Sequence, residues 1–221
     1  MFKVLQNMGI NDQLLDGTTA LLMAIKMRNK ELVKELIADG ADVNMFNNRE
    51  IKPIYMAIQY DDIEITDILI KSGGFSEEII IHVKSKSMCE FLFENGYTID
   101  FVDHHGADLA TYAVDSNNNV LIDFLISKNA NLENALIYSI DKMFDVDIIN
   151  KLVKNMGSLN EDVLYNAFLK RYGKILNCIL HKYDEETIKR VKIKADKELQ
   201  EIRRRKIEIQ DREDAKYQIK D

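Results

Sequence analysis

Four histidines and two cysteines are the side chains of this chain best suited to chemistry. His104 and His105 stand side by side between Asp103 and Asp108, which together offer the donor atoms of a metal site. Adjacent residues rarely converge on one ion, and no second cluster supplies the missing ligands, so solvent-exposed contact residues are the expected role. Asp115, Asn117 and Asn119 open like a calcium loop. Val120 stands where glycine must allow the sharp turn, and Ile126 where a bidentate glutamate must close the loop, so calcium is not expected. Cys89 and Cys178 have no base proposed for them by any nucleophile signature and read as structural thiols of a reducing compartment. His82, in EEIIIHVKS, and His181 read as ordinary helix residues. Gly73-Gly74 ends a helical pattern instead of opening one, so it does not cradle a phosphate. No catalytic residue, metal or cofactor is expected, and enzyme activity is the class the sequence supports least.

The elements that must position these residues are short helices. Between Asp16 and Asn44 the chain reads DGTTALLMAIKMRNKELVKELIADGADVN. Leu32, Val33, Leu36 and Ile37 recur at i, i+1, i+4 and i+5, the buried stripe of one helix, while Lys30, Glu31, Lys34 and Glu35 form its wet face. Asp39-Gly40 stops it, since glycine tolerates the left-handed conformation that ends many helices. Upstream, Leu21, Ala24 and Ile25 form a second apolar face after Gly17-Thr18-Thr19. Neither helix could bury its stripe alone.

The same pattern then returns at a shift of 33. Leu32, Leu36, Ile37 and Gly40 fall on Ile65, Leu69, Ile70 and Gly73, and Ala24 falls on Ala57. Later quartets are Met88/Cys89/Leu92/Phe93, Leu121/Ile122/Leu125/Ile126, Ile148/Ile149/Leu152/Val153 and Ile175/Leu176/Ile179/Leu180. Their anchors are Leu36, Leu69, Leu92, Leu125, Leu152 and Ile179, at successive spacings of 33, 23, 33, 27 and 27. Short spacings imply trimmed hairpins with the helix pairs kept. Small residues recur twelve before an anchor, at Ala24, Ala57, Ala113 and Ala167.

A helix–turn–helix period of 33 resembles the ankyrin repeat family. Thr19-Ala-Leu-Leu-Met-Ala24 and Lys52-Pro-Ile-Tyr-Met-Ala57 resemble that family's T-P-L-H-x-A motif, DGADVN its turn into the hairpin, and DHHG at Asp103–Gly106 its D-x-x-G tip. VLQNMG near the N-terminus resembles the second helix of a capping half-unit. The family's T-P-L-H histidine is absent, so the hydrogen bonds it makes between loops are missing, and kinks are expected at the short copies. The resemblance implies an all-α solenoid of about five repeats plus an N-terminal half-repeat over residues 1–183. It also implies a concave face of hairpin tips and first helices that grips a partner protein. By register, the contact residues are Leu15, Asp16, Lys26 and Met27 in the first copy. The second copy supplies Asn48, Arg49, Gln59 and Tyr60, and the fourth His104, His105, Asp115 and Ser116.

Residues 184–221 carry no proline or glycine and mix both charge signs. Ile188, Val191, Ala195, Leu199, Ile202 and Ile209 form the thin apolar seam of a long charged helix. Such a helix extends or caps the last repeat, or self-associates through residues 185–221; the repeats are expected to fold without it. Arg203–Lys206 is a basic run diluted by Glu198, Glu201, Glu208 and Asp211. The net charge is −7 and is carried by the part of the chain before Asp184. Such a balance favours a basic protein partner and disfavours nucleic acid and anionic membrane. No long apolar span or signal pattern is seen, and a cytoplasmic protein is expected, in a host's cytoplasm if it is a pathogen's effector.

Overall fold

The computed structural model describes residues 9–74, 77–103 and 105–218. The chain divides into two compact units, Met1–Ala130 and Asn131–Asp221. In the first, helices α1 (Ala20–Lys26), α3 (Pro53–Gln59) and α6 (Leu109–Asp115) alternate with α2 (Lys30–Ala38), α4 (Ile63–Lys71), α5 (Lys86–Glu94) and α7 (Asn119–Ser127). In the second, α8 (Glu133–Asp141) and α9 (Val146–Lys154) are followed by α10 (Glu161–Leu169), α11 (Gly173–Ile179) and α12 (Glu185–Gln218). All six apolar quartets lie on these helices, apart from Leu180 just past α11. The described residues therefore hold six helix pairs, in keeping with the about five expected, and no strand. The N-terminal half-repeat falls almost wholly outside them.

One turn builds the helix pairs. After α1, Arg28 is left-handed (φ 53°), its N–H donates to Ile25 (2.8 Å), and the N–H of Asn29 donates to Ala24 (3.1 Å). That is a Schellman stop, whose two bonds satisfy the last carbonyls of a helix. The Asn29 side chain then accepts the N–H of Leu32 (3.1 Å), capping α2. One residue thus ends one helix and starts the next. Asp61-Asp62 and Asn117-Asn118 repeat the arrangement, with caps on Ile65 (3.0 Å) and Leu121 (3.1 Å). The carbonyls of Ala57 and Ala113 take the bonds that Ala24 takes. These alanines are fully buried, which fits the small residue twelve before four of the six anchors. In the second unit Met143 and Arg171 hold the left-handed position.

The third repeat breaks the pattern. Glu77–His82 is a 3₁₀ helix, not the α-helix the sequence pattern predicts, and it is held between α3 and α6. Only two residues separate it from the close of α4 at Gly74, too few for a hairpin. Ile79, Ile80 and Val83 are buried nevertheless, so the segment keeps its core duty. Lys84 Nζ donates to the Gln59 carbonyl, Ser85 Oγ to Asp61 (both 2.7 Å), and Asn118 Nδ2 to the Val83 carbonyl (2.9 Å). Neighbouring repeats hold in place what the missing helical bonds do not.

The first half of α12 packs along α10. Val191 and Ala195 are buried, Arg190 pairs with Glu161 (2.5 Å), and Lys194 lies over the Tyr165 ring (4.5 Å). Beyond this stretch Ile202, Ile207 and Ile209 are exposed. A chain ending at Gln200 should therefore melt as the full chain does, whereas one ending at Tyr183 should melt lower; calorimetry distinguishes them. Equal melting of all three would show that α12 contributes nothing.

Two hairpin turns differ in a telling way. Gly17 (φ 77°) and Glu50 (φ 60°) hold equivalent positions in successive repeats, and both are left-handed. A Cβ at Gly17 would sit 2.5 Å from the Asn48 nitrogen, so glycine is required there. Glu50 bears a left-handed cost of about 1–2 kcal/mol. Glu50→Gly should stabilise by roughly 0.5–1 kcal/mol after glycine's greater unfolded-chain entropy is counted. Gly17→Ala should destabilise by more than that, as chemical denaturation would show.

Candidate protein-binding site

Three tight turns project from the first unit, at residues 14–17, 47–50 and 103–106. In each, the N–H of the fourth residue donates to the first carbonyl: Gly17 to Leu14, Glu50 to Asn47, Gly106 to Asp103. The first two turns are bonded side by side. Asn48 donates its N–H to the Asp16 carbonyl (3.1 Å) and its side-chain amide to the Leu15 carbonyl (2.9 Å), while Gln13 reaches the Phe46 carbonyl (2.9 Å). The tips therefore advance as a coupled row.

Beneath this row lies an open cleft of about 490 Å³. Asp16, Lys26, Met27, Arg49 and Tyr60 line it, five of the residues that register assigned to contact. Leu22, Met23 and Met56 supply an apolar floor. The Tyr60 carbonyl accepts from the Arg28 guanidinium (2.7 Å), which also stands 5.5 Å from the Tyr60 ring centroid, so the ring is held before any partner arrives. Hydrogen bonds from the Thr18 backbone and side chain hold the Asp16 carboxyl below the usual carboxylate range, and Arg49 adds to the effect. At neutral pH the rim presents both charge signs around methionine.

Residues 1–78 match the family model for ankyrin repeats, in three copies. Over that stretch the chain is similar to ankyrin repeats. It is 26% identical over 177 residues to an ankyrin repeat protein of Acanthamoeba polyphaga mimivirus, covering 76% of this chain and 20% of that one. It is 25% identical over 126 residues to an ankyrin repeat protein of Fowlpox virus (strain NVSL), covering 54% and 30%. The chain thus spans less than a third of the length of either relative. Among solved structures, the ankyrin repeat domain of Bcl-3, a member of the IkappaB protein family, aligns with a TM-score of 0.60 at 16% identity, over 77% of this chain and 88% of that one. The human ASB11 ankyrin repeat domain aligns with a TM-score of 0.55 at 16% identity, over 72% and 78%. At such identities the likeness shows the fold. Ankyrin repeats are generally protein–protein interaction modules.

The other ankyrin-register residues are not part of the cleft lining. Leu15 is fully exposed at the first tip, and Asn48 is committed to joining the tips. Gln59 is half-buried, its amide donating to the Tyr55 hydroxyl (3.1 Å). His105 is exposed on the fourth repeat's tip, where its N–H donates to Asp103 (2.8 Å); His104 lies outside the described residues. Asp115 is exposed at the end of α6, and the Ser116 hydroxyl donates to the Tyr112 carbonyl (2.7 Å) to close that helix. Register did not assign Met23, Met56 or Arg28. The two methionines stand 33 apart in equivalent positions, a readable signal; the Arg28 contact depends on its left-handed backbone.

Asp115 ends α6, residues 116–118 form the helix–helix turn with Asn117 left-handed, Asn119 opens α7, and Ile126 is half-buried on it. Among the described residues no group of three or more His, Cys, Asp or Glu is placed to hold a metal ion, and no helix is long and apolar enough to cross a membrane. Cys89 is fully buried, and burial pushes its thiol up to about 12. Cys178 is half-buried, its thiol 3.1 Å from the Lys174 carbonyl. At pH 8 a thiol reagent should modify Cys178 first, with Cys89 reacting only on unfolding, as peptide mapping would show. Prompt native-state labelling of Cys89 would contradict its burial.

Proposed function

We propose that the chain binds a partner protein through the concave face made by hairpin tips and first helices, centred on the cleft between its first two repeats. The observation that carries this reading is the convergence of Asp16, Lys26, Met27, Arg49 and Tyr60 on one cleft with an apolar floor. Arginine and tyrosine are enriched among interface anchors, and methionine adapts its shape to a partner. His105, Asp115 and Ser116, with His104, extend the contact row at the fourth repeat. The net charge of −7 favours a partner with a basic surface over nucleic acid or an anionic membrane. In this reading the repeat body is residues 1–183, the charged helix is residues 184–221, and the protein is a binder rather than an enzyme.

A second, finer reading makes the chain a virus-encoded effector that inhibits or redirects a host protein in the host cytoplasm. The ankyrin repeat proteins of mimivirus and Fowlpox virus support it. The alternative class is self-association through residues 185–221, supported by the exposed Ile202 and Ile209.

Affinity purification with mass spectrometry supplies the partner, and two double variants locate its site. Arg49→Ala with Tyr60→Ala should leave melting nearly unchanged and weaken binding by about 2 kcal/mol, some thirtyfold. His104→Ala with His105→Ala should weaken it less. Binding that survives all four changes and vanishes on truncation at Tyr183 would move the working surface to the tail. Light scattering that shows an oligomer lost on that truncation would favour assembly.

A further inference from the structure

The trimmed third repeat leaves a vacancy in the row of tips. At the first tip, the carbonyls of Leu15 and Asp16 are taken by Asn48 of the next hairpin. One register later the equivalent carbonyls belong to Asn48 and Arg49. The two turns share the same internal bonds and the same left-handed fourth residue, so these carbonyls face the place of a third hairpin. Only residues 75 and 76 lie between Gly74 and the 3₁₀ helix, too few for a hairpin like that of residues 43–52. Neither carbonyl accepts a hydrogen bond from a described residue.

The same hairpin, through Phe46, Glu50 and Lys52, borders an open pocket of about 380 Å³. Phe46, Tyr55 and Ile79 form its apolar wall, with Lys52 and His82 at the polar side. The Tyr55 and His82 rings pack edge to face at 4.6 Å, so this wall is set in place. Phe46 is 52% exposed. One repeat earlier, Leu21 and Leu22 at the positions of Ile54 and Tyr55 are 1% and 0% exposed. Ile54 is as sealed as Leu21, whereas Tyr55 is half-buried where Leu22 is sealed.

We propose that this vacancy is a socket for a β-turn of a partner protein, which takes the missing hairpin's place in the row. The turn donates a backbone N–H and an asparagine or glutamine amide to the Asn48 and Arg49 carbonyls, as Asn48 itself does to the first tip. Its apolar side chain covers Phe46 and Tyr55. The occupant is defined by a contact the molecule already makes, one repeat earlier, and does not depend on the cleft reading above.

Two experiments test the socket. In the first, a copy of residues 43–52 replaces residues 75–76, restoring a hairpin to the third repeat. A vacant, complementary socket predicts a higher melting temperature than the parent; an unchanged or lower one in a folded, monomeric product counts against it. In the second, a disulfide-cyclised turn library is displayed on phage and selected on the full chain. Selected turns should carry an apolar residue beside Asn or Gln, and should bind the Phe46→Asp variant about tenfold or more weakly. They should bind Lys26→Ala/Met27→Ala unchanged, which separates the socket from the cleft. Binders indifferent to Phe46→Asp, or no Phe46-dependent binder at all, would overturn the proposal whether or not the grafted chain folds.

Discussion

The structure depends on one shared turn, in which the residue that closes a first helix also opens the second. Asn29, Asp62 and Asn118 each give a backbone N–H backward to a buried alanine carbonyl, those of Ala24, Ala57 and Ala113, and accept an N–H forward with the side chain. A Schellman stop and an N-cap are ordinarily separate devices. Fused at one residue, they fix the angle between the helices of a pair and leave no loop in which it could drift. Small residues follow as a consequence, because the carbonyl that takes the backward bond lies where the next repeat's helix packs. The hairpin tips follow too, since a fixed helix pair delivers the chain to the same place each time.

The helix pairs were legible because they obey a period: apolar quartets recur wherever a second helix must be buried on one side. Ala24, Ala57, Ala113 and Ala167 were legible as small residues, although their reason, the turn, needed backbone angles to be seen. The 3₁₀ form of Glu77–His82 was not readable, since its apolar residues suit either helix type and its chain length is what forbids a normal repeat. Register named Arg49, Tyr60, Gln59 and Asn48 alike as contact residues; the structure lines a cleft with the first two and engages the amides of the other two in hydrogen bonds within the chain. That α12 caps the last repeat was readable from its seam, but where the docking stops was not, because Val191 and Ala195 look no more apolar than the exposed Ile202 and Ile209.

Departures from the regular repeat concentrate on the face proposed to bind a partner. A row of identical tips offers a partner a repeating surface, whereas the first unit offers a methionine-floored cleft between two coupled tips, then a gap. The left-handed Glu50 stands between the two features, at the position where the first tip has glycine. Strained backbone is often found at binding surfaces, where the surrounding structure holds it in place. Here the neighbouring tip and the Asn47 side chain, which accepts from Arg49 and Ile51, do the holding (2.9 and 3.1 Å).

Native-state hydrogen exchange at the amides of Asn29, Asp62 and Asn118 tests the dependence on the shared turn most directly. If these turns set the geometry of the repeats, the three amides exchange as slowly as those of buried helix residues such as Leu69, opening only when the repeats unfold. Exchange at the rate of loop amides, with Leu69 still protected, would show that the helices hold their places without the turn and would contradict the account.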